Sequence, residues 1–91
     1  MIDRDTTLSL DRRVRFRRFE DEGILINQQT AEAVVISEVG TRLVELADGT
    51  RTLRECAALL SEEFDAAPDV IERDVIRFAE QLVDAEIAAP S

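Results

Sequence analysis

The side chains of this sequence that could do chemistry are carboxylates, arginines and one thiol. The chain of 91 residues has 20 acidic residues, 11 arginines, one cysteine, and neither lysine nor histidine. The absence of histidine removes the commonest acid–base catalyst and the commonest transition-metal ligand. The carboxylates form no D-x-D-x-D-G loop, and there is no cysteine cluster or glycine-rich phosphate loop. We therefore expect no catalytic residue, no metal ion and no cofactor, and predict that the chain is not an enzyme.

The single thiol, Cys56, lies on the apolar side of a predicted helix together with Leu53, Ala57 and Leu60. A cysteine in this position is far more often a small packed core residue than a reactive one. One cysteine cannot form an internal disulfide, which fits a reducing compartment. No apolar run reaches the length of a membrane span, and the N-terminus lacks the apolar region of a signal peptide. These features predict a cytoplasmic protein with no membrane partner.

Charge is divided unevenly between a basic N-terminal end and an acidic remainder. Residues 1–19 contain six arginines and three aspartates, a net of +3, whereas residues 20–91 contain five arginines and 17 acids, a net of −12. The overall charge of −9 repels phosphate, which disfavours a nucleic-acid partner, and it suits a partner with some positive charge. The arginines of residues 12–18 leave two interpretations open. They form a solvated strand face that protects a sheet edge, or they contact an acidic partner or nucleic acid.

Three short strands are predicted in the first part of the chain. "RVRFRRF", starting at Arg13, alternates apolar and charged residues, and apolar runs follow at 24–27 and 33–36. Turns separate the runs by a few residues, so an antiparallel meander is the simplest pairing. The first turn, residues 20–23, ends in Gly23, which we expect to supply a positive φ.

Three helices are predicted to follow. Ser37 can cap the first helix, and Gly49 can end it in the left-handed conformation. Thr52 and Glu55 form a capping box for the second helix, and Pro68 lies near the start of the third. The predicted fold class is α+β with the order βββααα, a winged-helix-like three-stranded antiparallel sheet followed by a three-helix bundle.

The chain is predicted to be one domain with a loose beginning. Residues 1–11 show no periodicity and are predicted to be a flexible N-terminal arm, whereas residues 12–91 are predicted to be a single domain. The tail can add a short strand or wing through Ile87 and Ala88.

Two helices joined by a short turn are also typical of DNA-binding domains. The second predicted helix, however, carries Arg54 against Glu55, Glu62 and Glu63, and the third carries two arginines against five acids. Neither helix offers the basic face that docking in a major groove requires. A winged-helix DNA-binding regulator that uses the Arg-rich first strand remains the alternative function. An oligomerisation module that pairs edge strands between copies is a third.

The third predicted strand, "AVVI" at 33–36, is the remaining candidate for a site. If it lies at the edge of the sheet, its open backbone groups can accept an extended peptide as a further strand. A groove would then lie between this strand and the third helix. The residues alone leave two other outcomes open, an edge that stays exposed and an edge that pairs with another copy.

The span from about Arg13 to Ala89 resembles the coenzyme PQQ synthesis protein D (PqqD-like) family of RiPP recognition elements. The resemblance is carried by "RVRFRR", by "GILINQQTAEAVVIS" with the Leu-rich helix and Asp-Gly that follow, and by "ERDVIRFAEQLVDAEI". In the family, the first helix starts roughly Asn-Glu-x-Gly, and Ser37 here replaces the Asn. Ala33 and Val34 stand where family members often carry aromatic residues.

The resemblance implies a non-catalytic domain that binds the leader segment of a ribosomally made precursor peptide. Such a domain presents the precursor to a modifying enzyme, for example a radical SAM protein, a protease or a cyclase. It implies that the leader adds as a strand beside the third strand and packs against the third helix. Nucleic acid is not an expected partner, and the chain is expected to be a monomer or a weak homodimer. The implied peptide-binding residues are Glu32, Ala33, Val34, Val35, Ile36, Ser37, Val70, Asp74, Arg77, Phe78 and Gln81.

Overall fold

The computed structural model describes residues 2–91, which form two antiparallel sheets and three helices. The elements in chain order are β1 (Leu8–Leu10), β2 (Val14–Phe19), β3 (Glu22–Asn27), β4 (Ala33–Ile36), α1 (Glu38–Leu46), α2 (Leu53–Glu63), α3 (Pro68–Asp84) and β5 (Ala88–Pro90). The larger sheet has the order β2-β3-β4, and β1 pairs with β5 in the smaller one. The predicted α+β class, with a three-stranded meander followed by three helices, is confirmed.

The β2–β3 hairpin corrects the prediction for Gly23. Phe19 pairs with Glu22, so the connection has two residues, and Glu20 adopts the positive φ, at 59°. Gly23 lies inside β3, where a Cβ atom would come within 2.7 Å of Thr41 Oγ1 and 2.8 Å of Phe16 Cε1. Gly23 is therefore needed because α1 approaches the sheet closely, and the turn does not depend on it.

The predicted helix starts are confirmed, whereas α1 ends before Gly49, with Ala47 as its C-cap. The Ser37 hydroxyl accepts a hydrogen bond from the Gly40 N–H at 3.2 Å, and Thr52 and Glu55 form the reciprocal capping box. Pro68 occupies the first turn of α3, and Gly49 adopts a φ of +86° after α1. These local signals fix where the three helices begin and where α1 turns back towards α2.

The core consists of two hydrophobic clusters. The helix cluster fills the space between the three helices and β1, and the sheet cluster fills the space between the larger sheet and the helices. The buried members of the helix cluster are Leu8, Leu43, Leu46, Leu53, Cys56, Ala57, Leu60, Ile71, Val75 and Ala79. The buried members of the sheet cluster are Val14, Leu25, Ile36, Val44, Leu82 and Ala88. The Phe78 ring packs against both clusters, so α3 joins them.

The N-terminal segment differs from the predicted flexible arm. Leu8 is only 1% exposed, and β1 pairs with β5 in the register Leu8↔Pro90 to Leu10↔Ala88. The Leu53 N–H also donates to the Thr6 carbonyl at 2.9 Å. Residues 2–11 are thus part of the folded domain, while Met1 lies outside the described residues. Sequence periodicity could not reveal this pairing, because the partner strand lies about 80 residues further along the chain.

Leu8→Ala should lower the free energy of unfolding by roughly 2–4 kcal/mol, because it removes buried methyl groups and leaves a cavity in the helix cluster. Denaturant unfolding followed by circular dichroism measures the change. The matched control is Leu59→Ala on α2, where the side chain is 37% exposed and the expected cost is below about 1 kcal/mol. Equal and small decreases in the free energy of unfolding for both variants would support a flexible N-terminal arm instead.

Candidate functional site

One edge of strand β4 is open. β4 pairs with β3 in the register Gly23↔Ile36 to Ile26↔Ala33, and within residues 2–91 no strand pairs with its other edge. The Asn27 N–H donates to the Glu32 carbonyl at 2.9 Å, which makes this pair a hydrogen-bonded one. Hydrogen-bonded and non-hydrogen-bonded pairs alternate along an antiparallel ladder. Ala33 and Val35 therefore direct their N–H and C=O groups away from β3, towards the open edge.

The side chains of β4 show where the helices stop covering the sheet. Val34 and Ile36 lie on the inner face, yet Ile36 is 5% exposed and Val34 is 45% exposed. Leu25, the direct partner of Val34 on β3, is buried. The inner face is thus covered over Ile36 and uncovered over Val34, and this leaves an apolar depression beside the open edge.

Two pockets lie near β4, one beside its start and one just past its end, and we call them together the β4–α3 groove. The sheet pocket, at the start of β4 and the end of α3, has a volume of about 120 Å³. It is lined by Val14, Leu25, Asn27, Glu32, Val34, Ala85 and Ile87. The helix pocket, between the start of α1 and the middle of α3, has a volume of about 310 Å³. It is lined by Ser37, Val39, Gly40, Leu43, Ile71, Asp74, Val75 and Phe78.

Phe78 and Gly40 set the shape of the helix pocket. A Cβ atom on Gly40 would lie 3.1 Å from both Cε2 and Cζ of Phe78, closer than most real contacts of a Cβ. Gly40 therefore allows the Phe78 ring to lie directly against the first turn of α1. The ring forms one wall of the pocket, and its packing on both clusters holds that wall in place.

The groove has charged groups at its rim that the protein itself does not neutralise. Glu32 lines the sheet pocket and Asp74 lines the helix pocket. In the described part of the chain, no arginine lies within 4 Å of either carboxylate, and none of the carboxylates there pairs with Arg77. By contrast, Arg18 pairs with Glu45 at 2.9 Å. The rim therefore presents free negative charge to a bound molecule.

The structure brings most of the sequence-predicted residues to this groove. The backbone of Glu32 to Ser37 runs along it, and the side chains of Asp74 and Phe78 line the helix pocket. The Ser37 hydroxyl is already used as the α1 cap, and the Ile36 side chain is buried in the sheet cluster. The remaining three residues are exposed on α3 and line neither pocket: Val70, Arg77 and Gln81.

Several wall residues of the groove were not predicted as part of the site. Ile71, Val75 and Leu43 follow the helical periodicity that is typical of core residues, and each also lines the helix pocket. Ala85 and Ile87 line the sheet pocket from beyond the end of α3. The signal that could have found Ile87 was the predicted C-terminal wing, because a wing that follows α3 returns to the sheet.

The described residues offer little for catalysis. Cys56 is buried in the helix cluster, as predicted, and burial raises the pKa of its thiol, which keeps it protonated at neutral pH. Among residues 2–91 there is no group of three or more cysteine or carboxylate side chains placed to hold a metal ion. No helix in that range is long and apolar enough to cross a bilayer. The groove's chemistry is that of binding, with backbone hydrogen bonds and apolar pockets.

Three solved structures share this fold. The solution structure of a PqqD truncation of Methylobacterium extorquens PqqCD, a stand-alone RiPP recognition element, is 22% identical with a TM-score of 0.83, covering 98% of this chain and 95% of that one. TbiB1 in complex with the TbiA(beta) leader peptide is 22% identical with a TM-score of 0.79, covering 88% and 93%. Lasso peptide synthetase B1 complexed with the leader peptide is 16% identical with a TM-score of 0.80, covering 91% and 98%.

Comparison of the sequence with protein families identifies the family of the chain. No curated protein sequence matches the chain. Residues 22–88, however, match the family described as coenzyme PQQ synthesis protein D (PqqD), and this span runs from the start of β3 to the start of β5. The match covers well over half of the chain and includes every residue that lines the groove except Val14 of β2. The resemblance predicted from the sequence is confirmed, and the chain belongs to the coenzyme PQQ synthesis protein D family.

Proposed function

We propose that this chain is a non-catalytic peptide-binding domain that captures the leader segment of a ribosomally made precursor peptide and presents the precursor to a modifying enzyme. The observation that carries the proposal is the open edge of β4 beside an apolar groove. Two of the structural relatives were solved with a leader peptide, and a third is a stand-alone RiPP recognition element, which supports the same role here. The domain would act as a peptide chaperone in natural product biosynthesis.

The backbone of β4 would supply the main contacts. An extended leader beside β4 would exchange hydrogen bonds with the open N–H and C=O groups of Ala33 and Val35. Such bonds do not depend on the side chains of the leader, so they contribute affinity more than selectivity.

The two pockets would supply selectivity. Side chains alternate along a strand, so every second leader residue would face the groove. Apolar side chains at those positions would enter the sheet pocket beside Val34 or the helix pocket beside Phe78. In family members, an aromatic residue often stands at the position of Val34, which lines the sheet pocket, so the smaller side chain here favours bulkier leader residues than such members accept.

The rim charges would favour a leader with basic residues. Asp74 and Glu32 have no arginine within ion-pair distance among residues 2–91, so each is free to meet a cation of the leader. Exposed pairs of this kind contribute little affinity, but they raise the association rate and help set the register. The exposed α3 residues Val70, Arg77 and Gln81 would contact leader segments that leave the groove.

The proposed partners are the precursor peptide and one modifying enzyme, such as a radical SAM protein, a protease or a cyclase, in the cytoplasm. The domain would act as a monomer or a weak homodimer. A DNA-binding regulator that uses the Arg-rich first strand is disfavoured because Arg13 and Arg18 are already paired with Asp11 and Glu45, and because the net charge of −9 repels phosphate. Tight, salt-steep binding to mixed duplex DNA in a gel-shift series would reverse this preference.

Val35→Pro should abolish leader binding, because proline removes the open-edge N–H and fixes φ. The measurement is fluorescence anisotropy with a labelled leader of the precursor encoded in the same gene cluster. Val35→Thr is the matched control, since it keeps the N–H and the β-branched shape. Circular dichroism checks the fold of both variants. A folded Val35→Pro variant that binds the leader as the wild type does would rule out strand addition at β4.

Asp74→Arg should weaken leader binding by on the order of 1 kcal/mol at low salt, or roughly fivefold, because it places a cation where a basic leader residue would lie. Isothermal titration calorimetry at two salt concentrations measures the effect. Glu80→Arg is the control on the same helix, since Glu80 is exposed outside both pockets. Equal affinities of wild type and Asp74→Arg at low salt would remove Asp74 from the binding site.

A further inference from the structure

The outer face of the larger sheet, which points away from the helices, carries a mixed apolar and basic surface. The register places Arg15, Ile26 and Ala33 in one row across the three strands, and Arg17, Ile24 and Val35 in the next. Phe19 follows on the same face of β2. We call this surface the outer sheet face, made of Arg15, Arg17, Phe19, Ile24, Ile26, Ala33 and Val35.

The apolar part of the outer sheet face is unusually open. Phe19 is 67% exposed and Val35 is 63% exposed, the two highest values among the large hydrophobic residues of the described chain. Together with Ile24 they line a shallow depression of about 400 Å³ next to the β2–β3 turn. Exposing an aromatic ring and a valine around one depression costs solubility, and such patches mark interaction surfaces more often than scattered apolar residues do.

The basic part of the face forms no ion pair among the described residues, although Arg15 donates a hydrogen bond to the Arg12 carbonyl at 3.3 Å. Within residues 2–91, no carboxylate lies within 4 Å of Arg15 or Arg17, although the chain contains 20 acidic residues. In the same run, Arg13 pairs with Asp11 and Arg18 pairs with Glu45. Protection of the β2 edge explains charges on this strand. It does not explain why the cross-strand neighbours of the two free arginines are isoleucines.

We propose that the outer sheet face docks the modifying enzyme, through an enzyme surface that is apolar opposite Phe19 and Val35 and acidic opposite Arg15 and Arg17. This inference rests on the proposed function. A leader strand beside β4 would extend the same sheet, and its outward side chains would lie next to Val35. The enzyme would then contact domain and leader as one continuous surface.

The composition of the face favours a protein over nucleic acid. Phosphates would satisfy the two arginines and leave Phe19, Ile24 and Val35 exposed, and the net charge of −9 opposes their approach. An acidic, partly apolar protein surface satisfies both parts of the face. Glu20 and Glu22 at the rim of the depression would orient that surface by repelling its acidic end.

The test compares two binding steps in the same variants. The probe is the purified modifying enzyme from the same gene cluster, and its affinity for the chain is measured by biolayer interferometry with and without the leader. Phe19→Ser and the double variant Arg15→Glu/Arg17→Glu should each weaken enzyme binding at least tenfold. Both should leave leader affinity within twofold of the wild type, because neither residue set lines the β4–α3 groove.

Matched controls use the same chemistry elsewhere on the surface. Leu59→Ser on α2 replaces an exposed apolar residue. Arg73→Glu on α3 replaces an arginine that has no ion-pair partner among residues 2–91. Both controls should bind the enzyme as the wild type does. Equal losses in controls and test variants would show a general charge or stability effect and overturn the proposal.

The other outcomes separate this proposal from the proposed function. Unchanged enzyme binding by the test variants, or no binding by the wild type, overturns docking at this face even if the leader binds. Failure of the wild type to bind the leader overturns the proposed function. The enzyme-binding measurement without the leader still tests the docking face in that case. The double variant could instead lose binding to duplex DNA while it still binds the enzyme, and this would assign the face to nucleic acid. Loss of self-association, again with enzyme binding unchanged, would assign the face to a second copy of the chain.

Discussion

The fold depends on how two helices cover a sheet that is too small to be stable alone. Three strands of four to six residues must bury their inner face against helices. α1 meets this demand with Val44, and α3 contributes Leu82 to the same sheet cluster and Phe78, which packs on both hydrophobic clusters. Coverage ends before Val34, so one apolar side chain and the open edge of β4 remain accessible. The packing that stabilises the sheet thus also leaves the binding groove.

Close contacts between backbone and side chains make this arrangement possible. At Gly23 the sheet leaves room for the buried Thr41 of α1, and at Gly40 the first turn of α1 leaves room for Phe78. A side chain at either position would move α1 relative to the sheet or to α3. Because α1 follows β4 directly through the Ser37 cap, its position also fixes the direction of the strand's open edge.

Local signals in the sequence were sufficient for the elements of the larger sheet and for the helix starts. Alternation identified β2, and capping residues such as Thr52 and Glu55 marked the helices, because these signals act over a few residues. The β1–β5 pairing was missed, since Leu10 and Ala88 meet only in the folded chain. For the groove, the sequence and the family resemblance indicated β4 and α3. Periodicity could not show that Ile71 and Val75 line a pocket as well as the core, because both roles require the same apolar side chain.

The larger sheet divides its surfaces among different tasks. Its inner face belongs to the core, the open edge of β4 offers backbone hydrogen bonds, and its outer face carries free arginines beside exposed apolar residues. Val35 belongs to two of these surfaces, since its backbone points to the open edge and its side chain to the outer face. A peptide strand added at that edge would lengthen the outer face without disturbing the core, because the core lies on the opposite side of the sheet. Peptide capture can therefore change what a partner meets on the outer face while the fold stays the same.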